Sequence, residues 1–463
     1  MPVESSDYIV LVLAVASAYL LFLFARPLRV QTTLVPVDLG PGHPKSETKQ
    51  DEKDENRHRK PGSPVTAWRS VSFDYPKITP LEKKLQDIQQ RPYRPFKSGI
   101  YHITMGIRSM EWDEWIELDN QFAAFYRLRA QRIAQRGSRL VQVVPDRPGL
   151  VRGGAEAAKE LVYELAEFLS RRFPTVFSVR RPPIAGRASG GVHESGWYGE
   201  GAIQDITILP LNVTYNLEEE DPMTLAALLV QDDLAIMIEG EDGQYYLQAG
   251  AILVPGSWRL EDKIGMPLDE IHFSGEVPFY AQKLQTSLNR FFRRLTTGTP
   301  VVRENWLIQT LDPKNLSRPG DIVENDDPEE LAWNSTAYGS EDKFSHVPSS
   351  YALSLGSPLR EPTPSTRPPV PKVTHQTLRL RTEHQTLRRL PKTGAIVFTI
   401  RTYMTSIEEL GREPGIPARL AGAVRGVKGE VRKRKRQEAY EQVLLDYLDQ
   451  CHQKQVDSGI QDP

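Results

Sequence analysis

Between Val230 and Thr310 the spacing of apolar residues changes twice, and each change marks an element boundary. Leu234, Ile236 and Ile238 alternate with smaller or polar neighbours, GEDGQ supplies a glycine-bearing turn, and YYLQAGAILV returns, a pattern that predicts a β-hairpin. PGSW breaks the second strand. Beyond it Val277, Tyr280, Leu284, Leu288, Phe291 and Leu295 recur at three-and-four spacing, which puts one apolar stripe on a long helix, and a further strand follows up to Thr310. His272 stands between hairpin and helix, flanked by Ile271 and Phe273.

The same test applied along the chain gives the remaining elements. Trp112, Trp115, Leu118, Phe122 and Phe125 return at helical spacing, and Leu161, Val162, Leu165, Phe168 and Leu169 mark a second helix that ends before Pro174. Ser178 to Glu200 is rich in glycine, proline and arginine and reads as loop. AIQDITILPLNVTYN is strand material, and DPMTLAALLVQ is a short helix opened by an Asp cap. From Leu311 to Pro371 the chain turns acidic and then Ser/Pro-rich without periodic apolar residues, so 312–371 reads as a disordered insertion. LRLRTEHQTLRRLPKTGAIVFTIRTYM resumes with two strands about a PKTG turn. Tyr440, Val443, Leu444, Tyr447 and Leu448 make a closing amphipathic helix, and the basic run VRKRKRQ before it reads as a solvated face. These elements predict an α+β fold: an antiparallel sheet with flanking helices in one domain spanning 66–311 and 373–450, with 451–463 as a tail.

Composition changes the picture at the amino terminus. Tyr8 to Ala25 is an uncharged apolar run long enough to cross a bilayer, and 30–64 is a charged, proline-bearing tether. The leader carries Glu4 and Asp7 in place of the cations of a signal peptide, so an uncleaved transmembrane helix is expected. Arg26 and Arg29 follow the run and no Lys or Arg precedes it, which predicts a single-pass membrane protein with its main domain in the cytosol. One cysteine, Cys451, excludes an internal disulfide, a cysteine-ligated zinc site and an iron–sulfur cluster held by this chain alone. With 58 basic and 60 acidic residues and no zinc-finger or RNA-recognition motif, nucleic acid is not an expected partner.

No nucleophile elbow, phosphate loop, kinase signature or helical zinc motif is present, so any chemistry rests on dispersed residues. Among nine histidines, His102, His193, His272 and His384 lie in or near ordered-looking segments, and His272 alone combines apolar flanks with an element boundary. That placement suits a pocket residue. A lone histidine beside apolar residues is more often a core or capping side chain.

MGIRSM with WDEWIELD, LLVQDDLAIM, GSWRLEDKIG, LDEIH, VPFYAQKL, RENW and QTLRRLPKTGAIVFTIRTY occur in order from about Phe96 to Leu448. This series resembles the alpha-subunit-like family of haem-dependent oxidative N-demethylases. The resemblance implies a PAS-like sheet and helices holding a b-type haem, with His272 in LDEIH as the proximal iron ligand and His102 and His384 as reserves. Its second ring nitrogen would be held by a backbone carbonyl or by a carboxylate such as Asp269 or Glu270. Arg259, Lys263, Arg388 and Arg401 are the candidates for the haem propionates, and Asp232, Asp233 and Glu383 for the carboxylates beside a cationic amine. The implied reaction oxidises a small secondary amine with O2. It draws electrons from a partner reductase, since no flavin, nicotinamide or iron–sulfur motif is visible. A haem or small-ligand sensor of the same fold is the alternative. The chain departs from the family in its anchor, tether and insertion.

Overall fold

The computed structural model describes residues 68–182, 196–313, 332–343 and 372–460. The apolar run 8–25, the tether 30–64, the GRASGG loop and most of 312–371 lie outside the described residues. Among the described residues no helix is long and apolar enough to cross a membrane.

The alternating segments assemble into one antiparallel sheet. In chain order its strands are β1 (Arg108–Ser109), β2 (Val141–Val143), β6 (Asp233–Glu239), β7 (Tyr245–Ala251), β8 (Val301–Thr310), β9 (Leu378–Arg389) and β10 (Ile396–Ser406). The spatial order is β1-β8-β9-β10-β6-β7-β2. The predicted hairpin is β6–β7, with a register shift at Ile236/Met237, and PKTG joins β9 to β10 with Ile396 opposite Arg389. A smaller antiparallel sheet holds β3 (Phe177–Arg180), β4 (Asp205–Ile208) and β5 (Val213–Asn216).

Both faces of the large sheet are covered, and the period of two sorts its residues between them. Val397, Thr399, Arg401 and Tyr403 of β10 align with Arg388, Thr386, His384 and Thr382 of β9. This face meets α1 (Phe122–Arg136), α2 (Ala155–Arg172) and α3 (Pro222–Leu229) in the main core, where Phe122, Leu161, Phe168, Leu225, Leu234 and Val397 are buried. As predicted, Asp221 caps α3, its carboxylate accepting from Thr224 N. Leu387, Ile396, Ala235 and Met237 lie on the opposite face, beneath α4 (Leu268–Ser274) and α5 (Gln285–Arg294).

Three readings of the sequence are corrected here. The stripe from Val277 to Leu295 is not one helix: Phe279 sits at φ 56, a π-helical turn covers Tyr280–Leu284, and only then does α5 begin. Pro278 removes a backbone donor just where continuity would need one. The stretch from Trp112 to Leu118 is a 3-10 turn and loop, and α1 starts at Phe122. Residues 332–343, inside the segment read as an unpacked insertion, are packed. Trp333 forms a parallel bridge with Gly256, its Nε1 donates to Gly339 O at 2.7 Å, and Ala332, Trp333 and Glu341 are buried.

Past β10 come α6 (Ile407–Arg412), α7 (Ile416–Gly426), α8 (Gly429–Arg434) and α9 (Glu441–Asp457); α9 is the predicted closing helix, whereas the sequence reading did not mark α7, with Ile416, Leu420, Ala423 and Val424 on its buried stripe. Helices α6, α7 and α9 share a core with Trp306, Ile308, Leu378 and Leu380. The basic run is a solvated face only in part: Lys433 and Arg434 are exposed, while Lys435 and Arg436 are half-buried. Arg434 donates to Gly275 O, Lys435 to Trp306 O and Arg436 to Ala337 O, so the run also ties the end of α4, the sheet and the 332–343 segment together.

Candidate functional site

The layer of α4 and α5 on the sheet is built differently from the main core. Around a few fully buried residues, Trp258, Ile271, Leu288, Phe291, Val301 and Phe398 are only partly buried. Phe273 and Phe279 at the same end are 46 % and 43 % exposed. Helix α5 carries a strong apolar stripe, yet of its residues only Phe292 is buried. An amphipathic helix normally buries its stripe. This one lies half-buried over the apolar side chains of the sheet.

His272 lies in the last turn of α4. Its Nδ1 is 2.7 Å from Leu268 O, one helical turn back, so in the neutral ring the proton on Nδ1 donates to that carbonyl and Nε2 keeps its lone pair. Burial holds the imidazolium below its usual range, which favours the neutral form. The ring stacks on Tyr280 with centroids 4.6 Å apart. The partner of the second nitrogen is thus the backbone. Asp269 instead accepts from Tyr280 Oη, Gln285 Nε2 and Asn289 Nδ2, each at 2.7 Å, and staples α4 to the π-turn and α5.

Two further predicted residues lie on this side of the sheet. Lys263 donates to Ile271 O at 3.0 Å, the carbonyl beside His272, and burial brings its ammonium down to about 8. Glu383 projects from β9 on the face of Leu387 and accepts from Gln385 Nε2 at 2.8 Å and Asn305 Nδ2 at 3.3 Å. Arg303 of β8 is opposite Gln385 on the same face and close enough to His272 to depress its charge. Arg303, within RENW, and Lys435, within the basic run and over the Trp306 ring at 4.2 Å, were not among the candidate site residues of the sequence.

The other predicted residues are placed elsewhere. Arg388 and Arg401 point to the opposite face: Arg388 pairs with Glu164 between Trp112 and Trp115, and Arg401 pairs with Asp119 beside Phe125. Asp233 pairs with Arg129 at 3.0 Å and accepts from Leu253 N and Val254 N, while Asp232 is fully buried near Arg401, its carboxyl pushed up to about 7 by burial. Arg259 grips Asp262 with Nε and Nη2 and donates Nη1 to Glu341 O. His384 stacks on Tyr93 with Nδ1 3.5 Å from Glu304, again on the opposite face, and His102 is exposed. Of the predicted set, the structure gathers His272, Lys263 and Glu383 on one side of the sheet.

Among the described residues no three His, Cys, Asp or Glu side chains cluster to hold a metal ion. A lone imidazole suffices for a metal whose remaining ligands arrive with it, as in a porphyrin. Neutral His272 with Nε2 unprotonated, beside a half-buried apolar layer and the Lys263 ammonium, fits such a group. Residues 106–445 match the family described as haem-dependent oxidative N-demethylase, alpha subunit-like, a stretch running from the approach to β1 into α9, and the chain belongs to that family.

Proposed function

We propose that the chain is a haem-dependent oxidoreductase that removes a methyl group from a small secondary amine using O2. The observation that carries the reading is His272: a neutral imidazole whose Nδ1 is committed to Leu268 O, beside a half-buried apolar layer that would line the haem cleft, in a chain of this family. His272 would hold a b-type haem within a PAS-like fold, and the haem would supply oxygen activation. Asp269 keeps α4 and α5 in register and holds Tyr280, on which the His272 ring stacks, so the staple sets the position of His272 relative to the sheet. The half-buried ring of Phe398 and its apolar neighbours would exclude water from the reacting face. Glu383, on that face, would accept the N–H of an alkylammonium ion.

Electrons would come from a separate reductase. The apolar run at 8–25 would tether the domain to a membrane with the catalytic part on the cytosolic side. Haem-loaded protein, chemically reduced and mixed with a small secondary amine in air, should release formaldehyde and primary amine in equal amounts, and His272→Ala should release none. Haem retention without formaldehyde would favour the sensor reading.

A further inference from the structure

Arg303 is a half-buried cation whose Nε is buried without a hydrogen-bond partner. Glu383 and Glu304 act on it through space. Glu383 is already engaged by Asn305, Gln385 and Arg381, and Glu304 by Arg108 and His384 across the sheet. Burying a guanidinium costs free energy unless acceptors meet its donors. Fold stability gives no reason to keep one here.

Its place supplies the reason. Arg303 shares a sheet face with Leu387 and Phe398, the apolar layer that Ile271 beside His272 packs against. The half-buried guanidinium therefore borders that layer, where a planar fork can grip a carboxylate with two bonds. Lys435, over Trp306 and Tyr101, adds a second positive charge nearby. The other arginines considered for an anion are committed: Arg388 to Glu164, Arg401 to Asp119 and Arg259 to Asp262.

We infer that Arg303 is the carboxylate-binding residue of the cleft, receiving a propionate of the porphyrin or the carboxylate of an N-methyl amino acid. The inference rests on the cleft proposed above but not on iron ligation by His272. Metal-free protoporphyrin IX and its dimethyl ester, bound to the purified full chain and followed by porphyrin fluorescence, separate the two. If the porphyrin supplies the carboxylate, the wild type prefers the diacid to the ester. Arg303→Gln then lowers diacid affinity about 10- to 100-fold, as loss of a charge-assisted pair implies, leaves ester affinity unchanged, and Arg303→Lys recovers part of the loss. If the substrate supplies it, porphyrin affinities are unchanged and N-methylglycine, read by its Soret perturbation of the haem-loaded protein, loses affinity in Arg303→Gln while dimethylamine does not. The melting temperature of the ligand-free variant checks that the side chain is not structural: it should stay level or rise. An Arg303→Gln protein that melts lower and binds every probe as the wild type does overturns the inference, and so does a wild-type chain that binds neither porphyrin. Arg303-dependent binding of metal-free porphyrin, together with loss of the iron–His272 bond reading, would leave this inference standing alone.

Discussion

Trp333→Ala puts the packed 332–343 segment to the test. Trp333 is 1 % exposed, Gly256 N donates to Ala332 O and Asn334 N donates back to Gly256 O, both at 2.9 Å, so the indole is pinned by backbone on both sides. Truncating a buried Trp to Ala costs about 3–5 kcal/mol, and the lost donation from Nε1 to Gly339 O is part of that sum. The segment also carries Glu341, whose carboxylate meets Arg132 Nη2 at 2.8 Å, with both side chains buried. If the truncated segment detaches, Arg132 is left as a buried charge without this carboxylate, which adds roughly 3 kcal/mol or more. Against a total of about 5–15 kcal/mol for an ordinary domain, either figure is large. Urea unfolding of the protein should show a fall in midpoint with little change in slope for Trp333→Ala, and Glu341→Gln should reproduce part of it. Deleting 344–371 should leave the midpoint near wild type. An unfolding free energy of Trp333→Ala within about 0.5 kcal/mol of wild type, the size of an ordinary surface change, would refute the packing argument.

Two further predictions follow from the side chains. Asp269→Ala removes the acceptor shared by Tyr280, Gln285 and Asn289, so hydrogen exchange should quicken from Tyr280 through α5, with a local cost of roughly 2 kcal/mol, while β8–β10 stay protected; uniform loss of protection would contradict a local staple. For the Glu304–His384 contact, burial opposes both charges, but hydrogen bonds from His384 and Arg108 bring the Glu304 carboxyl down to about 2, and Glu304 raises His384 above its usual range. A depressed carboxyl contributes stability above its unfolded value that is lost as pH falls through the folded one, and a raised imidazole contributes below its unfolded value and loses it as pH rises. The destabilisation by Glu304→Gln, about 1 kcal/mol, should therefore be greatest near about pH 5–6 and shrink on either side, and a pH-independent difference would refute the pairing.

How far the sequence could be read differs by element, for physical reasons. The β6–β7 hairpin and the β9–β10 pair were legible because period-two alternation and their turns agree. Residue parity carried more than was drawn from it: on one continuous strand Glu383 and Arg388 cannot share a face, and Arg388 and Arg401 fall together only through the pairing of Val397 with Arg388. Which of two covered faces holds a site is not written in alternation, because both faces are apolar. His272 was legible from its apolar flanks at an element boundary. Arg303, within Val-Val-Arg-Glu-Asn, looks like the polar half of an edge strand, and only the placement of β8 between β1 and β9 encloses it. Trp333 is one apolar side chain among acids, with no period to flag it, and the inward turn of Arg434, Lys435 and Arg436 depends on carbonyls distant in sequence.

The most direct test of the account is a haem titration of the purified protein, wild type against His272→Ala, read by the ferrous Soret band and by melting temperature. The account predicts stoichiometric haem binding with a five-coordinate, imidazole-ligated spectrum in the wild type. In the variant that spectrum should be lost or altered while the melting temperature stays close to wild type, since removing the ring leaves the Asp269 staple and the sheet intact. A His272→Ala protein that binds haem with the wild-type affinity and spectrum would contradict it and move the iron to another residue.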